Sequence, residues 1–185
     1  MESEKFFVLG ALMGDGCLTS RPSIGEFTIE FDQKSKEWLE ILSEKFLKYF
    51  GKTSEIRKTT KGYFRLRIHS KKIFEELQEM KARFQEILVT SDESSKIKFL
   101  QGMFDSEGSV HKSKFRITFS SKRDAIINTC KSLLEEFGIS TGKIWVSKDD
   151  VKILPIYGRC CLRLFQNKID FTHPEKKQKL KLILT

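Results

Sequence analysis

Two carboxylates, Asp15 and Glu107, stand where an acid is hard to keep. Each is followed at once by glycine, in Gly14-Asp15-Gly16 and Ser106-Glu107-Gly108. Each ends an apolar segment with helical spacing, roughly 5–15 and 97–107. A carboxylate in the last turn meets the negative end of the helix dipole, which costs roughly 0.3–1 kcal/mol. A divalent cation reverses that penalty. Carboxylate oxygens flanked by backbone carbonyls are hard ligands and suit Mg²⁺. Acids of this kind can hold ions that activate water and stabilise a leaving oxygen in phosphodiester hydrolysis.

The two acids belong to a repeat. Phe7-Val8-Leu9-Gly10-Ala11-Leu12-Met13-Gly14-Asp15-Gly16 parallels Phe99-Leu100-Gln101-Gly102-Met103-Phe104-Asp105-Ser106-Glu107-Gly108 at an offset of 92. Gly10 and Gly14 share a helix face, as do Gly102 and Ser106. Glycine inside a helix costs about 1 kcal/mol relative to alanine, and small residues on one face let two backbones approach closely. The expectation is that the two helices pack along these faces and bring both acids together about a pseudo-twofold axis.

The elements that position them repeat as well. Phe27-Thr28-Ile29-Glu30-Phe31 parallels Phe115-Arg116-Ile117-Thr118-Phe119. Each strand runs into an amphipathic helix, one with Trp38, Leu39, Leu42, Phe46 and Phe50 before Gly51, the other with Ile126, Ile127, Cys130, Leu134 and Phe137 before Gly138. Two further strands are expected in each half, near 54–59 and 63–69, and near 143–148 and 159–165. Closing helices begin at Ser70 and at His173-Pro174, where Pro suits the first helical position.

The strands alternate. Glu26, Thr28, Glu30 and Asp32 oppose Phe27, Ile29 and Phe31. Tyr63, Arg65, Arg67 and His69 oppose Phe64, Leu66 and Ile68. Lys114, Arg116, Thr118 and Ser120 oppose Phe115, Ile117 and Phe119. Period-two patterning packs one face on helices and leaves the other wet. A wet face rich in Arg, Lys, Thr and Ser suits base edges and phosphates in a DNA major groove. Thr19, Arg21, Arg57, Lys143, Arg159 and Arg163 complete the candidate contact set. The acids Glu26, Glu30 and Asp32 would repel phosphate, so they must accept from cytosine amino groups or pair with neighbouring arginines.

Composition agrees. The 185 residues carry a net charge of +9, which favours polyanionic partners, nucleic acid before membrane. Residues 1–92 hold 16 basic against 15 acidic side chains, and residues 93–185 hold 18 against 10. No apolar run reaches the ~20 residues of a membrane span, and Met1-Glu2-Ser3-Glu4-Lys5 lacks a signal pattern. Cys17, Cys130, Cys160 and Cys161 lack zinc spacing and read as reduced, which suits a cytoplasmic or organellar protein that is not secreted. His69, His111 and His173 are too scattered for a histidine-based nuclease motif.

The paired helix strings resemble the signature helices of the LAGLIDADG homing endonucleases in their single-chain, two-motif form. The resemblance implies an α+β fold. It would consist of two pseudo-symmetric αββαββα halves, 1–92 and 93–185, whose antiparallel sheets form a DNA-binding saddle. It further implies a monomeric, Mg²⁺-dependent, site-specific double-strand DNA endonuclease, intron- or intein-associated, with a long asymmetric target. Mn²⁺ would substitute for Mg²⁺, and Ca²⁺ would support binding without cleavage. Asp15 and Glu107 would bind the metal, with the Gly14 and Ser106 carbonyls as co-ligands. Where the family often carries an earlier acid, Met13 stands in the first copy and Asp105 in the second, at a position that does not bind metal. Gln33 matches a glutamine that positions water or metal, and its repeat partner is Ser121. Arg67 and Arg163 sit near the family's active-site base or charge stabiliser. Arginine is a poor proton acceptor, so both are assigned to electrostatic stabilisation or phosphate contact. Lys112 is a further candidate. The resemblance leaves open an RNA-splicing maturase acting on intron RNA, or a DNA-binding protein without cleavage.

Overall fold

The computed structural model describes residues 2–185. Its backbone divides into two compact units, Met1–Gly102 and Met103–Thr185. In the first, α1 (Glu4–Gly14) is followed by β1 (Gly16–Arg21), β2 (Glu26–Gln33), α2 (Lys36–Phe50), β3 (Arg57–Lys58), β4 (Phe64–His69), α3 (Lys71–Ala82) and α4 (Phe84–Thr90). Helix α5 (Glu93–Glu107) opens the second repeat and spans the division between units. Then come β5 (Gly108–His111), β6 (Arg116–Ser121), α6 (Asp124–Glu136), β7 (Trp145–Val146), β8 (Lys152–Tyr157), α7 (Arg159–Lys168) and α8 (Pro174–Leu184).

Both sheets are antiparallel and four-stranded, in the orders β1-β2-β4-β3 and β5-β6-β8-β7. Their registers correspond. Gly16 pairs with Phe31 and Gly108 with Phe119; Phe31 pairs with Leu66 and Phe119 with Leu154. The repeat seen in the residues is therefore a repeat of topology.

Local chemistry explains the elements. The Ser35 hydroxyl accepts the Trp38 N–H at 3.2 Å at the start of α2. Gly51, at φ 65°, ends that helix in the left-handed conformation that glycine adopts without strain. Trp38, Leu39, Leu42 and Phe46 are fully buried, and Phe46 meets Phe31 edge-on at 5.8 Å. In the second unit Phe104, Phe119, Phe165 and Phe171 form the core, with ring centroids 4.9–5.2 Å apart.

Three expectations change. The strand placed at 159–165 is helix α7. Leu162 and Phe165 are buried three residues apart and Ile169 follows at four, a helical period that the local Leu-Arg-Leu alternation hides. The strand is β8, at 152–157, and it contains Pro155, a residue that argues against strand in a sequence. Strand β7 pairs only Trp145–Val146, and beyond it the Pro155 carbonyl accepts the Gly142 N–H at 2.8 Å. Each half also ends in two helices, α3 with α4 and α7 with α8, rather than one. Finally, Phe115 lies outside β6. It closes a 3₁₀ turn, Lys112–Lys114, with φ 42°, and it is 51% exposed rather than packed inward.

Candidate active site

Helix α1 ends at Gly14, and Asp15 is its cap, donating its N–H to the Ala11 carbonyl at 3.1 Å. The carboxylate is partly exposed. The chain reverses into β1 at once because Gly16 has no side chain: a Cβ there would lie 2.6 Å from Leu12 Cα and 2.8 Å from the Phe31 ring. Strand β2 pairs with β1 through Phe31 and ends two residues later at Gln33. The Gln33 amide Nε2 donates to Asp15 Oδ2. Glutamine and aspartate, 18 residues apart, are thus joined by the β1–β2 hairpin.

The second site is built differently. Glu107 is the last residue of α5, partly exposed, and Gly108 permits the same tight reversal, since a Cβ would lie 2.4 Å from the Phe104 carbonyl oxygen. Ser121 occupies the place of Gln33, and its hydroxyl accepts the Arg123 N–H at 3.2 Å. Asp105 is fully buried. Its carboxylate accepts the N–H of Thr172 at 3.0 and 3.2 Å, the N–H of His173 at 3.1 Å, and the Thr172 hydroxyl. This fastens the start of α8 beneath the signature helix. Lys176, in the first turn of α8, then donates to the carbonyls of Phe104 (3.3 Å), Asp105 and Ser106 (2.9 Å). Met13 stands at the position equivalent to Asp105 in the first copy, so this fastening is not duplicated.

Among the described residues no group of three or more His, Cys, Asp and Glu is assembled for a metal. Each unit offers one carboxylate at a helix end, where the last four carbonyls lack intrahelical donors. That donor set does not suit a closed zinc cage. It does fit Mg²⁺, which dehydrates reluctantly and is usually held by one or two carboxylates together with substrate phosphate and water.

On the first sheet, the acids pair with arginines. Arg65 makes a two-pronged contact with Asp32, 2.6 Å on each arm, and reaches Glu30 at 3.2 Å. Arg67 holds Glu30 at 2.6 and 2.8 Å, and Arg21 holds Glu26 at 2.7 Å. Asp32 is held below the usual carboxylate range by its Arg65 hydrogen bonds, with burial opposing, and the Arg65 guanidinium is raised in return. Ser54, Glu55, Arg57, Arg65, Arg67 and His69 line an open pocket of about 330 Å³. Thr28 is buried rather than presented: its hydroxyl is 3.1 Å from His69 Nδ1. Thr118 is buried likewise, with its hydroxyl 2.9 Å from His111 Nε2.

The remaining candidates fall into two groups. Thr19, Arg21, Arg57, Lys112, Lys114, Lys143 and Arg159 are exposed, and Ser120 is partly so. Arg116 is part-buried, its guanidinium 5.3 Å from the Trp145 ring. Arg163 is exposed on α7, not on a strand, and is not the counterpart of Arg67. The registers identify that counterpart: Glu30 faces Arg67, and Thr118 faces Pro155. The second sheet therefore has proline where the first has its pocket arginine. Nothing in the spacing of the sequence connects Lys176 to Ser106, 70 residues earlier, so this contact is legible only in the fold.

A family model for the LAGLIDADG-like domain matches residues 2–81 and again 94–170. The chain belongs to this family. A relative, homing endonuclease I-ApeI of Aeropyrum pernix, is 28% identical over 197 residues, covering 97% of this chain and 86% of its own length. A segment of the glutamine–fructose-6-phosphate aminotransferase of Methanocaldococcus jannaschii is 26% identical over 96% of this chain, though the match spans only 17% of that protein. Among solved structures, I-DmoI in complex with DNA and Ca superposes with TM-score 0.76 at 20% identity, covering 97% of each chain. Full-length DUF199/WhiA from Thermatoga maritima superposes with TM-score 0.69 at 19% identity, over 99% of this chain and 60% of its own. The LAGLIDADG fold is thus shared at low identity.

Proposed function

We propose that this LAGLIDADG-like protein is a site-specific, metal-dependent DNA endonuclease that hydrolyses both strands of a long asymmetric target and works as a monomer inside the cell. The observation that carries this reading is the repeated helix end: a carboxylate followed at once by glycine, at the C-terminus of α1 and again of α5. A sheet face carrying arginines, each held by a neighbouring acid, accompanies it. A relative bearing the name homing endonuclease over nearly the whole chain supports the same reading, as do the I-DmoI structures with DNA and Ca or Mn.

The division of labour follows from the side chains. Asp15 with the Gly14 carbonyl, and Glu107 with the Ser106 carbonyl, would hold Mg²⁺, which would supply positive charge to the leaving oxygen and acidify water. Gln33 fixes the Asp15 carboxylate through its amide. Arg65 and Arg67, preset by Asp32 and Glu30, bind phosphate and base edges as charge-assisted donors. Arg67 also stabilises developing negative charge at the scissile phosphate. Lys112 and Lys114 add phosphate contacts from the turn before β6.

An intron or intein origin agrees with the way the module occurs in relatives. It matches segments of an aminotransferase and of a translation initiation factor IF-2, spanning 17% and 15% of those proteins. A module present inside host proteins of unrelated chemistry behaves as an insertion.

The test is cleavage of a duplex spanning the insertion junction, in Mg²⁺. Asp15→Asn and Glu107→Gln are expected to abolish double-strand cutting while leaving Ca²⁺-supported binding largely intact. Cutting by both variants would place the site elsewhere. Stimulated intron splicing without any DNA cut would instead favour a maturase.

A further inference from the structure

We infer that Phe115 is a specificity-determining residue, whose ring at the turn between β5 and β6 reads the 5-methyl group of a thymine in the major groove of duplex DNA. This rests on the reading that the protein recognises a DNA sequence. The first two strands of each half share one frame. Four residues join Arg21 to Glu26 in the first half, and four join His111 to Arg116 in the second. Each connection is a 3₁₀ turn closed by a residue in the left-handed conformation. In the first turn that residue is Gly25, at φ 67°, which adopts it without strain. In the second it is Phe115, at φ 42°, where a bulky side chain is an outlier.

One exposed apolar side chain is ordinary on a protein surface. Phe115 differs because the fold carries two costs at this position. The backbone is strained, and half of the ring stays in water. Glycine at the equivalent turn avoids both costs, so the turn itself does not need the ring.

The surrounding charge names the ligand class. From Ser109 to Arg123 the sequence has five Lys and Arg and no acid, whereas from Cys17 to Gln33 it has Arg21 against Glu26, Glu30 and Asp32. Lys112 and Lys114, in the same turn as the ring, are exposed. Burial pushes the His111 imidazole below its usual value, and the charges of Arg116 and Lys114 push the same way. The ring therefore sits in a field of positive charge. An apolar protein groove would have to strip water from the flanking ammonium groups, which is costly. Duplex DNA fits both features. Its phosphates take the lysines, and the thymine methyl is the apolar group that the major groove presents. Covering one methyl removes about 0.8 kcal/mol of exposed apolar surface, or about fourfold in affinity for thymine over uracil.

The experiment selects a duplex from a randomised library with the wild-type protein in Ca²⁺, then replaces each thymine of the selected duplex by uracil, one at a time. One replacement should weaken wild-type binding at least about threefold. The same replacement should change binding by Phe115→Gly less than about 1.5-fold. Val89→Ser, which removes an exposed apolar side chain at the end of α4, should keep the wild-type response. Phe115→Gly should also melt no lower than wild type, because it relieves the left-handed strain. A fall of more than about 3 °C would assign the ring to the fold and overturn the inference. So would a uracil response that Phe115→Gly retains, or that Val89→Ser also loses. A second measurement needs no variant: 5-iodouracil at the responsive position should photocrosslink to residue 115 of the wild-type protein. A crosslink elsewhere would overturn the inference and leave sequence recognition standing. If the wild-type protein enriches no sequence, the reading of site-specific recognition falls, and this inference with it.

Discussion

Asp105 and Thr172 are joined by the carboxylate's acceptance of both the backbone N–H, at 3.0 Å, and the side-chain hydroxyl of the threonine. The acid is fully buried, and every one of these bonds crosses from the signature helix to the segment that leads into α8. An acid that sits two residues before Glu107 in the motif is therefore a structural anchor. Its repeat partner, Met13, is a buried apolar side chain with no such duty.

Replacing Asp105 with asparagine should cost about 2–4 kcal/mol. The amide removes the charge and turns an N–H₂ toward backbone donors. Urea unfolding should show the loss, and Met13→Ala should lose a comparable amount through a cavity instead. A stable Asp105→Asn protein, within about 0.5 kcal/mol of wild type, would mean that the carboxylate charge is not needed.

Gly102 marks a close backbone approach in the first unit. A Cβ there would lie 2.2 Å from the Phe7 carbonyl oxygen and 2.8 Å from the Ala11 nitrogen. Alanine gains about 1 kcal/mol of helix propensity, but the clash is with backbone that cannot rotate away. Gly102→Ala is therefore expected to destabilise by a net ~2 kcal/mol or more, lowering the midpoint of thermal unfolding. An increase in stability would show that α1 and the start of α5 can separate without cost.

The first sheet should respond to loss of its acids by gripping DNA more and discriminating less. Asp32→Asn and Glu30→Gln release Arg65 and Arg67 from contacts of 2.6 Å. Freed guanidinium groups can take phosphates, and each new phosphate contact steepens the slope of log K against log salt by about 0.9. Fluorescence anisotropy on non-specific duplex, repeated across salt concentrations, reads this directly. An unchanged slope would mean the acids do not restrain the arginines.

Stability should fall with acid in a window set by His173. Burial, reinforced by the nearby Lys176, holds its imidazole down at about 4, against about 6.5 in an unfolded chain. The unfolded state therefore binds the proton first. Stability is complete above about pH 6.5, declines as pH falls toward 4, and levels off below it. The loss is up to about 3 kcal/mol. Asp32, held low by Arg65, contributes only at more acid pH, below the ordinary aspartate value of 3.8, so the two limbs separate. In His173→Gln, chemical denaturation at pH 4.5 and 7 should give nearly equal stability apart from the carboxylates.

Much of this was legible without coordinates. Asp15 and Glu107 were readable because the small-residue, acid, glycine string occurs twice, and a repeat at a constant offset of 92 is hard to produce by accident. The helices over 36–50 and 124–136 were readable from three- and four-residue apolar spacing with a glycine after it. The segment 159–165 was not. Leu162-Arg163-Leu164 satisfies a strand pattern locally, while Pro155 disguised the strand beside it, and only pairing with β6 reveals which segment completes the sheet. The same local pattern groups Arg163 with Arg67, whereas the register places Pro155 opposite Thr118 as Arg67 stands opposite Glu30.

The sequence alone determined what is local or repeated: the two carboxylates, the glycines that let the chain turn beneath them, the alternation of the strands and the family to which the chain belongs. Tertiary structure decided what depends on residues far apart in the chain. It paired Arg65 with Asp32 across strands, buried Thr28 against His69, and brought Lys176 to the carbonyl end of α5. The reason is physical. Periodicity and capping are encoded within a few residues, so they survive in a linear reading. A hydrogen bond or ion pair across 33 or 70 residues leaves no trace in spacing, because its geometry exists only once the sheet register and the docking of α8 are set.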